Sequence, residues 1–461
     1  HQGSGIGRHG STSHTRLMSY AAHHFDELPS ELLTTLRQAA STVEPFCLLE
    51  TGQAHGAGPE QLNRQQFLAA GGLVQWHRIP RASSEAWQAF ATTWRKDPTW
   101  CFGVMGYELR HAFEAGMDRH EGQLQDDMLL FQPMWVVDCG LTGEVLLHLH
   151  DQAPWATSQL WWEALQSSLL EADSSSHGPV NWEAEWTNAK YLKEANDLTQ
   201  HMQRGDIYEV NLCTRHQAKG LALNPVTVYQ DLFHRADAPM SGLFAAADHW
   251  LISASPERYI QLAKSDRGMV MSSQPIKGTA ARFDDVHQDA LSANSLRNSL
   301  KEQAENIMIV DLVRNDLSRV AEMSTVTVPR LLEVRTLPTV HHLVSTVEGL
   351  LREGCDWLDA IAASFPMGSM TGAPKVSAMH LIQSHESSPR GWYSGALGYV
   401  RPSGECDWNV IIRSLVHHAP SQAWETWAGS ALTLQSDLHM EWEECALKTH
   451  AVKASMQSQP S

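Results

Sequence analysis

The chain has 461 residues, 43% hydrophobic and 19% charged, the balance of a folded globular protein long enough for two domains or one composite unit. A formal net charge of −18, with no Lys/Arg-rich block to offset it, argues against a nucleic-acid binder, and no apolar run approaches the length of a membrane span. Seven scattered cysteines without a CxxC pair argue against a zinc site or a disulfide framework and fit a reducing compartment, so a cytoplasmic location is expected.

The opening "HQGSGIGRHGSTSHTRL" (1–17) is Gly/Ser/His-rich and aperiodic, and reads as a tag remnant or a disordered leader. From 18 to 172 short apolar runs alternate with helical ones. "PFCLLET" and "MLLFQPMWVVDC" suit buried strands, and "QLWWEALQSSLLEAD" puts Trp161, Leu165 and Leu169 on one helix face. The Ser/Gly/Pro-containing "EADSSSHGPVNWEAE" is the best boundary, near 171–183, and the region 183–456 follows it. There "YLKEANDLTQHMQRGD" is a helix with Tyr191, Ala195, Leu198 and Met202 on one stripe and Gly205 as its stop, and "IYEVNLCTRHQ" is a strand. "KEQAENIMIVDLVRNDL" and "MEWEECALKTHAV" are helices, and the tail after Lys453 reads as frayed. Strands and helices mix without βαβ alternation, which predicts an α+β fold.

Two Glu-x-x-Glu pairs stand out. Glu302 and Glu305 share one helix face, as do Glu441 and Glu444, so each helix presents two carboxylates in one direction. Such spacing fits a solvated acidic face and a metal site equally. The apolar run after Glu305 favours burial, and Mg²⁺ held by one or two carboxylates plus water is then the plain candidate. "FPMGSMTGAPK" lacks Walker spacing, which rejects an NTPase. "WAGSALTLQSD" (427–437) reads as a small-residue turn whose amides could meet an anion. Arg413 lies in the strand-like run "NVIIRSL", where a guanidinium needs an anionic partner. "SSQPIKGTAAR" sets Lys277 between a proline turn and Gly278-Thr279, by itself an ordinary solvated loop lysine. Together these parts suggest a small polyanionic substrate.

The segments "GDIYEVNL", "ISASPERY", "QPIKGTAAR", "AENIMIVDLVRNDLSRV", "VHHLVS", "FPMGSMTGAPK", "GWYSGALGYV" and "EWEECALK", in that order over about 185–455, resemble the chorismate-utilising enzyme family. "LLET" (48–51) and "GVMGYEL" (103–109) extend the resemblance more weakly toward the N-terminus. The resemblance implies a two-sheet β core surrounded by helices. It implies Mg²⁺ on the ring carboxylate of chorismate, with Glu305 and Glu444 as direct ligands and Glu302 and Glu441 behind them or acting through water. Gly278, Thr279, His342, Tyr393, Arg413, Gly429, Ser430 and Ala431 fall at substrate-binding positions, Ala431 standing where the family usually has glycine.

Within the family, anthranilate synthases carry a small residue where Lys277 sits, and the lysine form marks the aminodeoxychorismate synthases. The resemblance therefore implies amination at C4 for p-aminobenzoate and folate synthesis, with Lys277 as a covalent nucleophile and Glu257 as the acid for the departing hydroxyl. The amine must be neutral to attack, and a closed pocket near Mg²⁺ is expected to disfavour its charged form. Isochorismate and salicylate synthases place a water-activating lysine where Glu209 stands, so water addition is disfavoured. Expected partners are chorismate, ammonia and a separate glutamine amidotransferase subunit. A tryptophan-like effector is expected between "LLET" and "APMSGLF" (238–244). The alternatives are an anthranilate synthase, another chorismate-aminating synthase, or a non-catalytic effector-binding relative.

Overall fold

The computed structural model describes residues 19–25, 28–52, 65–114, 116–117, 119–120, 125–169, 179–246, 248–338 and 340–457. The leader 1–17 and most of the proposed boundary lie outside the described residues. The fold is α+β, as expected. The strands are joined in one continuous antiparallel network of twenty, with ten α-helices around it, among the described residues.

Strands from before the boundary bond directly to strands after it. Phe46–Glu50 lies between Gln65–Ile79 and Met240–Ala246, and Cys101–Met105 pairs with Ala396–Val400. The packing follows the hydrogen bonding. Trp87, Phe90 and Trp94, from the Ser84–Lys96 helix, share a buried cluster with Trp357 and Trp408, and the Trp94 and Trp357 rings meet edge-on at 5.5 Å. Burial of four indoles and a phenyl ring supplies much of the cohesion between the two stretches of chain.

The helices that carry the acidic pairs are set by local signals. Ser299 caps Leu300–Ser318 by accepting the Glu302 amide, and Glu305, Ile309, Val313 and Leu317 are buried along it. Asp437 caps Leu438–Ala454 by accepting the amides of His439 and Met440. Thr187 caps Asn188–Arg204, which ends at Gly205 with φ +83° as its sequence predicts.

Several local expectations are corrected. The helix around Trp161 ends at Ser168, which leaves Leu169 as its cap. The tail is not frayed through Met456, which is buried in the core because the last helix carries it back under Trp424 and Val452. "WAGSAL" is no turn: it completes the strand Ala423–Leu432, paired along its length with Glu209–Ala218, and only 433–437 forms the turn. Arg413 is outside any strand, between Cys406–Asn409 and Ser414–His418, with a left-handed φ of +52°. Lys277 is in a strand, Ile276–Ala281, and is buried rather than solvated.

Candidate active site

A cavity of about 830 Å³ opens where the two acidic helices face the strands that carry Lys277 and Gly429. Glu257, Lys277, Gly278, Thr279, His342, Tyr393, Arg413, Gly429, Ala431 and all four glutamates line it, although they span 188 positions of sequence from Glu257 to Glu444 inclusive. Ser430 is the exception: strand alternation turns its hydroxyl away, to the Tyr191 hydroxyl at 3.1 Å.

The strand that carries Lys277 shifts register between Lys277 and Thr279, with Gly278 at φ +83°. A Cβ on Gly278 would come within 2.8 Å of Glu302 Oε2, so glycine lets the acidic helix approach the backbone here. Past this bulge, Thr279 Oγ1 lies 3.1 Å from His342 Nδ1. Burial, helped by Arg413, lowers the His342 pKa to about 3, so the imidazole is neutral.

Lys277 Nζ donates to Glu209 Oε1 at 2.5 Å. In the metal-free protein the lysine is not depressed. Burial does push the ammonium down, but Glu209, Glu305 and Glu257 outweigh it, and the pKa is raised. Glu257 is buried, and desolvation lifts its carboxyl to about 7 against the pull of Ser369 and Lys277. A carboxyl with that value keeps its proton in about half of the molecules at neutral pH, which poises it to act as a general acid.

Among the four glutamates, burial raises Glu305 to about 7 and also raises Glu302, while at Glu444 Lys448, Glu441 and Lys301 together outweigh burial and lower the pKa. Glu305 Oε1 is buried and has no hydrogen-bond partner. Lys301 Nζ donates to Glu441 at 2.9 Å, and Lys448 Nζ donates to Glu444 and to the Gly429 carbonyl, both at 2.8 Å. Among the described residues no three His, Cys, Asp or Glu side chains are gathered tightly enough to enclose a metal as they stand. The chemistry still fits Mg²⁺, which takes only one or two direct carboxylates and keeps water on its other positions. The orphaned Glu305 oxygen is the group such a cation would satisfy.

Anion-binding groups face the acids. The Arg413 guanidinium makes no ion pair among the described residues. Tyr393 is stacked on Trp427 with ring centroids 5.7 Å apart. A Cβ on Gly429 would sit 2.3 Å from Cys213 Sγ, so only glycine fits that close strand crossing. Lys375, the end of the rejected phosphate-loop match, is held by Asp316 at 2.6 Å and by the Ser364 carbonyl. It anchors a helix and is not a phosphate grip.

Two groups and one pairing escaped the sequence reading. Lys448 sits four residues after Glu444, a spacing that could have flagged it. Lys301 pairs across two helices, and Glu209 pairs with Lys277 over 68 positions; neither leaves a local signal. A second cavity, about 430 Å³, brings together Leu49, Glu50 and Thr51 of "LLET" with Met240 and Ser241 of "APMSGLF".

A family model described as chorismate binding enzyme matches residues 44–454. Component 1 of the aminodeoxychorismate synthase of Klebsiella aerogenes is 34% identical over 363 residues, covering 77% of each chain. The chloroplastic aminodeoxychorismate synthase of Arabidopsis thaliana is 33% identical over 365 residues, and the chain spans 39% of its length. The menaquinone-specific isochorismate synthase of Escherichia coli shares the fold, with a TM-score of 0.72 at 18% identity, covering 95% of this chain and 94% of that one. No helix among the described residues is long and apolar enough to cross a membrane. With the match running through nearly all of the described fold, the chain belongs to the chorismate binding enzyme family.

Proposed function

We propose that this chain aminates chorismate at C4, giving 4-amino-4-deoxychorismate for p-aminobenzoate and folate synthesis, in the manner of the aminodeoxychorismate synthases to which it is similar. The observation that carries the reading is Lys277. It is a buried primary amine on the wall of the cavity that also holds Glu257, Arg413 and the acidic helices. A positional lysine could serve from the rim; one inside the cavity, beside a carboxyl whose pKa is raised to about 7, is placed for substitution chemistry.

In this reading Arg413 and the backbone of Gly278 and Gly429 bind and orient the carboxylates of chorismate. Glu305 and Glu444, backed by Glu302 and Glu441, would hold Mg²⁺, which when bound neutralises the ring carboxylate. The Lys277 amine forms a bond to C2 as the C4–O bond breaks, and Glu257 gives its proton to the departing hydroxyl, which leaves as water. Ammonia then bonds to C4 and the lysine leaves C2. A separate glutamine amidotransferase subunit supplies the ammonia, in keeping with relatives named as component 1. The second cavity, where the expected segments meet, takes a tryptophan-like effector.

Intact-protein mass spectrometry with chorismate and Mg²⁺ but no ammonia tests this. The expected result is a gain of chorismate minus water, mapped to Lys277 and absent in Lys277→Ala. With ammonium present and no lyase, a fluorescent anthranilate product in place of aminodeoxychorismate would redirect the reading to amination at C2.

A further inference from the structure

A nucleophilic lysine must shed a proton before it can attack, and here the amine has almost no water to give it to: Lys277 is 8% exposed. Four carboxylates act on it, from different elements. Glu209 begins the strand Glu209–Ala218, Glu257 lies between two strands, and Glu302 and Glu305 come from the Leu300–Ser318 helix. On the neighbouring strand His342 is neutral, and Arg413 and Lys448 contribute positive charge from the cavity wall. Glu257 is already assigned to the leaving hydroxyl, and Glu302 and Glu305 to the cation. Glu209 is the one in hydrogen-bond contact with Nζ. It does not line the cavity, so it reaches the substrate only through the lysine.

Its second oxygen makes the pairing unusual. Glu209 is 1% exposed, and its Oε2 is buried without a hydrogen-bond partner. The carboxylate therefore faces the ammonium and nothing else by hydrogen bond, and it is the base that a proton leaving Nζ meets first. Its main chain is fixed, since Gly372 at φ +150° packs against the Glu209 carbonyl, where a Cβ would come within 2.1 Å.

We propose that Glu209 is the proton acceptor for the Lys277 ammonium, a positioning residue that generates the free amine inside the closed site. The proposal rests on the nucleophilic reading of Lys277 given above. Glu209 Oε1 takes one Nζ proton, and the nitrogen lone pair then forms the bond to C2 while the C4–O electrons leave with the hydroxyl, protonated by Glu257. When ammonia has bonded to C4, the C2–N electrons return to Lys277, which recovers its proton from Glu209, and Glu257 recovers one from the new ammonium group. The proton never leaves the pair, so the step draws none from solvent.

The test is the pH dependence of Lys277 reactivity in the wild type and Glu209→Gln, read in two ways. One is adduct formation with chorismate and Mg²⁺; the other is amidination of Lys277 by methyl acetimidate without chorismate, mapped by peptide mass. With Glu209 present the amidination rate should change by less than about threefold between about pH 6 and 8, because the pair keeps its single proton, while adduct formation should fall through about pH 7 only as Glu257 loses the proton it donates. In Glu209→Gln the lysine must lose its proton to solvent, and the amidination rate should rise about tenfold per pH unit over that window, while adduct formation should rise up to about pH 7 and level off as Glu257 ionises. A Gln variant with the wild-type profile, or one that is flat and faster, overturns the proposal, because a side chain that only held Lys277 in place would not move the pH dependence. If Glu209→Gln does not fold, Glu209→Asp decides: a slower but flat profile supports the proposal, a steep one overturns it. Absence of a chorismate adduct in the wild type, with the amidination profiles as expected, would remove the covalent relay and leave the Glu209 assignment standing.

Discussion

The two cavities differ most in how their charges are met. In the smaller one, Glu50 is buried yet fully engaged: Arg37 binds both of its oxygens and the Tyr229 hydroxyl donates at 2.7 Å. In the larger one, Glu305 and Glu209 each keep a buried oxygen without a hydrogen-bond partner, and Arg413 has no counter-ion among the described residues. Unmet valence costs stability, and a fold keeps it where a substrate or cation will supply the missing partner. The smaller cavity asks nothing of its ligand electrostatically, which suits an effector or a structural filler. The larger one is built around groups that are incomplete until something binds.

The most damaging change to that contrast is loss of the amine. Lys277→Ala should lower C4 amination by about a thousandfold or more, in the range seen when a nucleophile is deleted. Lys277→Arg should do no better, because a guanidinium has no lone pair to offer at accessible pH. Steady-state rates with chorismate, Mg²⁺ and ammonium, coupled to a lyase, check both; full activity in the Arg variant would sink the nucleophile. Glu257→Gln should cost about 10²–10⁴-fold. In the wild type the rate should fall as pH rises through about 7, where Glu257 loses the proton it must donate.

How much of this was legible follows from the range of the interactions. The helices announced themselves, because caps such as Ser299 and Asp437 and stops such as Gly205 act within a turn or two of chain. The glutamate pairs were legible for the same reason, since three-residue spacing fixes a common helix face. What failed was decided by pairing far along the chain. "WAGSAL" reads as a turn from its small residues, yet those residues are small because Gly429 crosses Cys213 and Asn211 of the partner strand. Lys277 reads as a loop residue because Pro275 and Gly278 flank it, yet the strand Val340–Leu350 draws it into the sheet. In the metal-free protein its amine stays charged because Glu209, invisible as a neighbour in sequence, adds to Glu305 and Glu257, and together they outweigh burial.

A second group of changes sharpens the comparison through the cation. Glu257 and Glu305 have pKa values near 7 in the fold against an ordinary 4.5, so between these values the folded state binds more protons than the unfolded one. Stability of the metal-free protein should therefore fall as pH rises from 4.5 to about 7, the opposite of a salt-bridged carboxylate. Saturating Mg²⁺ should restore much of it at pH 7 by binding only the folded, ionised form. Thermal unfolding over this window, with and without Mg²⁺, reads both effects; stability that rises with pH would contradict the desolvated acids. Glu305→Gln should remove the Mg²⁺ response while leaving the protein folded. Arg37→Met is the counterpart in the smaller cavity: it leaves Glu50 buried with only Tyr229, should cost on the order of 3 kcal/mol of stability, and should leave the Mg²⁺ response intact.

The smallest expected effect tests how the acidic helices are balanced before a cation arrives. Lys301 Nζ is 2.9 Å from Glu441 and 3.8 Å from Glu305, and its side chain is 40% exposed. It neutralises carboxylates that a divalent ion would claim, and any ion that enters must overcome its charge. Because the ammonium reaches water, its repulsion is screened, and the expected gain on removing it is modest. Lys301→Met, which keeps an apolar stem of similar length, should tighten Mg²⁺ binding about three- to tenfold by calorimetry. The gain should shrink as salt is raised from about 0.05 to 0.5 M, since screening already does part of what the substitution does. Weaker binding in Lys301→Met would mean that the lysine holds Glu441 in place for the cation and does not compete with it.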